Sequence, residues 1–165
     1  VSKWSELLGM MVTRENPVSL EHSARTAVAV LASFLVARLV RLPEAYWAPI
    51  STIVVMQSSM GAALPISVQR FAGTAFGAAM GAVTAQFFDG NIWAFGATIL
   101  LMGLVCTAAR VERSAYRYAG ITLAIVVLVP RSSSGWVIAL HRFFEVSLGI
   151  AVGLAMSALW PERKR

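Results

Sequence analysis

The chain has 165 residues, of which 58% are hydrophobic and 13% charged, whereas water-soluble domains run at roughly 45–50% apolar and 25% charged. With a mean hydropathy of +0.70, a soluble globule is excluded, and the length allows one membrane domain of five to seven crossings at roughly 20 residues each. The net charge of +6 does not point to nucleic acid, because the basic residues are spread over predicted span ends instead of forming one patch.

Residues Trp4 to Val12 alternate apolar and polar positions loosely at helical spacing before Pro17, which predicts a short N-terminal interfacial helix within residues 1–17. No continuous apolar run precedes the first span, so no cleavable secretory signal is expected. The first span is predicted from Ser19 to Val40, with Arg25 and Arg38 near its ends, where long stems snorkel to the headgroups. His22, beside Glu21 and Arg25, reads as an interfacial cap of that span.

The second span is predicted from Tyr46 to about Met60, ended by Gly61 and Pro65. Span three follows from Phe71 to Phe88 and span four from Ile92 to Ala109, joined by the turn residues Asp89, Gly90 and Asn91. Span five, about Ala115 to Val129, is stopped by Pro130, and span six runs from Trp136 to Trp160 before Pro161 and a basic tail. Tyr46, Trp47, Trp93, Tyr116, Tyr118, Trp136 and Trp160 fall near span ends, as interfacial aromatic belts do. In this six-span reading one side of the membrane holds ten Lys and Arg residues and the other four, which places both termini in the cytoplasm.

Sliding the sequence against itself by 72 residues gives fourteen identities over positions 26 to 85. They include the arginine pairs Arg38/Arg110, Arg41/Arg113 and Arg70/Arg142, and the glycine pairs Gly77/Gly149 and Gly81/Gly153. Apolar residues match cheaply in such a chain, but arginines and glycines do not. The expected fold is therefore all-α integral membrane, six transmembrane helices as two inverted three-helix repeats, about 18–89 and about 90–161, since an odd number of spans per copy turns the second copy over.

Transport sites in such folds lie between the copies, next to interrupted helices. Arg70 and Arg142 each open the last span of a copy, and a guanidinium there suits a carboxylate, so both are candidate substrate-binding residues; the alternative is that they anchor their helices at the interface. Glu145, one turn from His141 and Arg142, either neutralises Arg142 or forms a proton relay with His141. Gly73, Gly77 and Gly81, with Gly149 and Gly153, repeat at the spacing that lets helix backbones touch, and are expected to pack spans three and six against each other or across a dimer.

The single cysteine, Cys106, excludes a disulfide framework. The sequence contains no G-x-x-x-x-G-K-[ST], H-E-x-x-H or G-x-S-x-G motif, so neither an enzyme nor a metal or cofactor site is expected.

The segment from Tyr46-Trp47-Ala48-Pro49 to Gln57, followed by Gln69-Arg70-Phe71-Ala72-Gly73-Thr74 and Gly77, resembles the fusaric acid resistance and aromatic acid exporter family. So does the closing stretch from Arg142-Phe143-Phe144-Glu145 through Gly149 to Trp160-Pro161. The resemblance implies a six-helix inner-membrane module, distantly related to plant malate-permeable channels, that effluxes small organic anions such as aromatic carboxylic acids. Many members carry a second membrane half or a cytoplasmic portion, so it further implies a homodimer in the lipid bilayer, with a periplasmic adaptor protein as a further candidate partner. A passive organic-anion channel and a non-transporting scaffold or assembly subunit are the alternatives.

Overall fold

A computed structural model describes residues 19–57, 59–129 and 133–161. The predicted interfacial helix at Trp4 to Val12, Pro130 and the basic tail lie outside these residues. The described residues form six helices: α1 (Leu20–Leu39), α2 (Trp47–Val55), α3 (Met60–Phe88), α4 (Ile92–Ala108), α5 (Arg113–Leu128) and α6 (Gly135–Leu159).

Local chemistry sets the helix ends. Ser19 caps α1, its hydroxyl accepting from the His22 backbone N–H at 2.9 Å, and Asn91 caps α4 by accepting from Trp93 and Ala94. Both helices end in the same left-handed turn, at Arg41 (φ 58°) and at Arg110 (φ 53°). In each, the following residue donates back across the turn, Leu42 to Ala37 at 3.0 Å and Val111 to Cys106 at 2.8 Å. Arg41 and Arg110 thus do the same job, whereas the ungapped slide pairs Arg110 with Arg38.

The α3–α4 hairpin turns through Asp89 (φ 40°) and Gly90 (φ 73°), and the Thr84 and Thr98 hydroxyls meet across it at 3.0 Å.

Among the described residues three helices, α1, α3 and α6, are long and apolar enough to cross a membrane, and α4 is a shorter apolar helix of 17 residues. The second predicted span differs from expectation. Its helix, α2, has nine residues, about 14 Å at a rise of about 1.5 Å per residue, and it stops at Val55 with Met56 extended. Gly61 and Pro65 do not end it; they lie in the first two turns of α3, which Ser59 caps by accepting from Ala62 at 3.3 Å. So near a helix start, proline removes only one backbone bond, and the residue four places before it, whose carbonyl its ring approaches, is a glycine.

The side chains are arranged for a lipid solvent. On α1, Ala29, Ser33 and Ala37 face inward while Leu31, Leu35 and Leu39 face out; on α4, Leu100, Leu101 and Leu104 face out. Large apolar groups outside and small or hydroxylated ones inside are what helices do when lipid, not water, is the surrounding phase. The molecule is a membrane protein.

Small residues bring the helices together. α3 runs parallel to α5: a Cβ on Gly73 would strike the Ala115 carbonyl, one on Gly77 the Ala119 carbonyl, and one on Gly81 would stand 3.0 Å from Val126. α6 runs parallel to α2 in the same way, Gly149 against the Ala48 carbonyl and Gly153 3.1 Å from Val55. These glycines therefore pack α3 on α5 and α6 on α2, instead of packing the third and sixth helices on each other. The α3–α6 contact is antiparallel and made elsewhere, by Phe71 on Phe143 at 5.1 Å and by Gly135 against Ala85.

The touching pairs are α1–α2, α1–α6, α2–α3, α2–α6, α3–α4, α3–α5, α3–α6, α4–α5 and α5–α6. Exchanging α1, α2 and α3 with α4, α5 and α6 leaves that set unchanged.

Candidate anion site

Among the described residues, four charged side chains are almost wholly buried: Arg25 (0% exposed), Glu145 (1%), Arg142 (2%) and Arg70 (7%). A charge in such surroundings must be paired or hydrogen-bonded, and each of these is served differently.

Arg25 was expected to snorkel, yet its guanidinium points inward. It donates to the Trp160 carbonyl at 2.9 Å and to the Gln57 carbonyl, and lies 3.4 Å from His22 Nδ1. Those two carbonyls stand just past the ends of α6 and α2, where helices leave acceptors without in-helix donors, so a many-donor guanidinium satisfies them better than lipid headgroups would.

Arg142, on the second turn of α6, stacks on Trp47 with its guanidinium carbon 3.7 Å from the ring centroid. Its Nη2 meets Glu44 Oε2 at 3.2 Å and its Nη1 meets Glu145 Oε2 at 3.5 Å. The two acids are themselves tied: Glu145 Oε1 accepts from the Glu44 backbone N–H at 2.9 Å, and Glu44 Oε2 also accepts from Trp47 Nε1 at 2.9 Å. The loop before α2 is thus pinned to α6 by a buried ionic knot.

Arg70, on the third turn of α3, stacks on Tyr118 at 5.0 Å. Its Nη2 donates to the Ser51 hydroxyl at 3.1 Å, and its buried Nε has no partner among the described residues. No carboxylate among the described residues lies within ion-pair distance of it. A desolvated cation–π contact contributes up to about 2 kcal/mol and a hydrogen bond to a charged group roughly 1.5–3 kcal/mol, which compensates the burial of a guanidinium only in part.

The two arginines flank α2. Ser51 accepts from Arg70 and donates to the Trp47 carbonyl at 3.1 Å, while the Trp47 ring carries Arg142, so one short helix connects both. His141 is half-buried and makes no hydrogen bond or ion pair among the described residues; Glu145 is joined to Arg142 and not to it. Beside the α3–α5 seam, an apolar cavity of about 210 Å3 opens between α3, α4 and α5, lined by Gly73, Phe76, Cys106 and Ala115 among others.

Sequence reasoning missed Glu44, Ser51 and the inward role of Trp47. Glu44 carried a usable signal: it is the one acid between Glu21 and Asp89, in a stretch long enough to enter a membrane, and an acid there calls for a partner. Ser51 carried none, since a hydroxyl in an apolar helix ordinarily bonds its own preceding turn.

Residues 27–156 match the family model described as fusaric acid resistance protein-like. The chain is 30% identical over 151 residues to the Escherichia coli K12 inner membrane protein YeeA, covering 86% of this chain and 41% of that protein. It is 29% identical over 169 aligned positions to the uncharacterized transporter YdhK of the same organism, covering 97% of this chain and 25% of that protein. The chain therefore spans less than half the length of these curated relatives. No solved structure matches it. With the match extending over all six helices at least in part, the chain belongs to the fusaric acid resistance protein-like family.

Proposed function

We propose that the chain is the membrane module of a transporter that exports small organic anions, aromatic carboxylic acids among them, across a bacterial-type inner membrane. The observation that carries this reading is Arg70: a guanidinium buried at the meeting of α2, α3 and α5, with a hydroxyl and an aromatic ring for company and no carboxylate of its own among the described residues. An entering anion supplies the missing charge. Arg142 already holds Glu44 and Glu145, so its part is to fix α6 to the loop before α2, and Glu145 serves that knot instead of relaying protons through His141.

The transport unit is read as six crossings in two inverted repeats, with both termini cytoplasmic. Support comes from the contact set that survives exchange of the two helix triplets and from Phe71 and Phe143, repeat mates by sequence, which meet each other. A second membrane half comes from a further copy of the chain or from a longer polypeptide, in keeping with the greater length of the relatives.

The test is flux of hydroxybenzoate in liposomes, with and without an imposed proton gradient. Gradient-driven accumulation that Arg70→Gln abolishes supports the exporter; purely downhill flux reassigns the module as a channel; undiminished flux in Arg70→Gln removes Arg70 from the pathway. Accumulation retained by Glu145→Gln rules out a relay at that position.

A further inference from the structure

Contacts register the two halves of the chain more closely than sequence identity does. Arg142 stacks on Trp47 as Arg70 stacks on Tyr118. Gly149 meets Ala48 as Gly77 meets Ala119, and Gly153 meets Val55 as Gly81 meets Val126. In all three cases the α3 and α6 members keep the 72-residue spacing, while the α2 and α5 members are one residue short of it. Continued to the helix ends, these offsets match Trp160 with Phe88 and Gln57 with Leu128. The turn that closes both α1 and α4 matches Ala37 with Cys106, and the same offset matches Arg25 with Ala94.

Two places are matched in this way, each where a pair of parallel helices ends together. Where α2 and α6 end, the Arg25 guanidinium of α1 donates to the Gln57 and Trp160 carbonyls. Where α5 and α3 end, at Leu128 and Phe88, the matching residue of α4 is Ala94, which has no side-chain donor. A cavity of about 510 Å3 lies at this second place. It is bounded by Gln86 and Asp89 at the end of α3, by Leu128 and Val129 at the end of α5, and by Ser133 and Ser134 before α6. The side chains of Gln86, Asp89, Ser133 and Ser134 make no hydrogen bond or ion pair among the described residues, and Ser134 precedes α6 without capping it.

We infer that this polar cavity is a cation site, taking an alkali-metal ion of the sodium class where the other half uses the guanidinium of Arg25. The last carbonyls of a helix have no in-helix donors, and each helix C-terminus carries roughly half a negative charge. The Phe88 carbonyl receives the Asn91 N–H at 2.9 Å and keeps a second lone pair. Asp89 adds a full negative charge. The start of α6, which also borders the cavity, contributes roughly half a positive charge, so two C-termini and a carboxylate outweigh it. The ligands on offer are carboxylate, amide, hydroxyl and carbonyl oxygens, which suit a hard cation. Asp89 is the one acid among the residues that line the cavity, and no histidine or cysteine joins it, which favours a monovalent ion over calcium or zinc. Gln86 and Asp89 are exposed, so the ion enters from water. The site is independent of the role given to Arg70.

The experiment follows the thermal unfolding temperature of the full chain in lipid nanodiscs while sodium replaces N-methylglucamine at constant chloride, which holds any anion binding fixed. Wild-type protein is expected to show a saturable rise of about 2–4 °C in sodium. Asp89→Asn is expected to lose most of that rise while unfolding at the wild-type temperature in N-methylglucamine, because asparagine tolerates the left-handed backbone at this turn (φ 40°). Ser134→Ala is expected to reduce the rise. Equal unfolding temperatures of the wild-type protein in the two cations overturn the site, and so does an undiminished rise in Asp89→Asn. A calcium response that saturates at a concentration a hundredfold lower than sodium's overturns the assignment to a monovalent ion.

Discussion

The α2–α6 region and the α3–α5 region are built on one plan and finished in opposite ways. Each sets an arginine of a long helix on an aromatic ring of a short one, and each brings the two helices together over glycines. Around Arg142 the chain adds Glu44 and Glu145 and closes the pair of helices with charge; around Arg70 it leaves the Ser51 hydroxyl and the Tyr118 ring. On the proposed reading, a duplicated plan gives one site to stability and its twin to anion binding. The difference lies in two side chains, not in the backbone plan.

Substitutions sharpen or break that contrast. The largest effect is expected at Arg70: Arg70→Gln should lose nearly all anion flux in liposomes while unfolding at close to the wild-type temperature, because no ion pair is broken. Arg142→Gln should do the reverse, destabilising the protein by about 3–5 kcal/mol because the buried Glu145 and the partly buried Glu44 lose their shared cation, seen as a large drop in thermal unfolding temperature in nanodiscs. Loss of flux at unchanged stability in both variants would erase the distinction between the sites.

Next in size is Gly77→Ala, which puts a methyl against the Ala119 carbonyl and should cost about 1–3 kcal/mol by overpacking, measured the same way. Gly96 is the control, since a Cβ there meets nothing within 4 Å. Gly96→Ala should stabilise by up to about 1 kcal/mol through helix propensity alone. A comparable loss at both positions would mean that helix approach over α3 glycines contributes little.

Long apolar runs bounded by cap and turn residues were readable from the sequence: α1, α4 and α6 begin and end within a residue or so of the predicted spans, because Ser19, Asn91 and Pro161 act locally. The break after Val55 was misplaced because its cause is distant. Gly61 and Pro65 are the local punctuation, but α2 stops at Val55, next to where Arg25 of α1 donates to the Gln57 carbonyl. Arg70 and Arg142 stood out as charges in apolar surroundings; what distinguishes them did not, since Glu44 reaches Arg142 from 98 residues away. Ungapped identity also put the second spans one residue out of register with their contacts, because repeated valines and isoleucines match equally well at neighbouring offsets.

The buried guanidinium of Arg25 has a consequence for how the protein is made. One of its carbonyl partners, at Trp160, lies 135 residues downstream, so while a ribosome is still extending the chain, the first helix enters the bilayer with a cation that has no finished socket. It can be held at the headgroups or by the insertion machinery only until α6 arrives. A polypeptide cut short before Trp160 therefore leaves Arg25 without one of the two carbonyls that receive its guanidinium N–H groups.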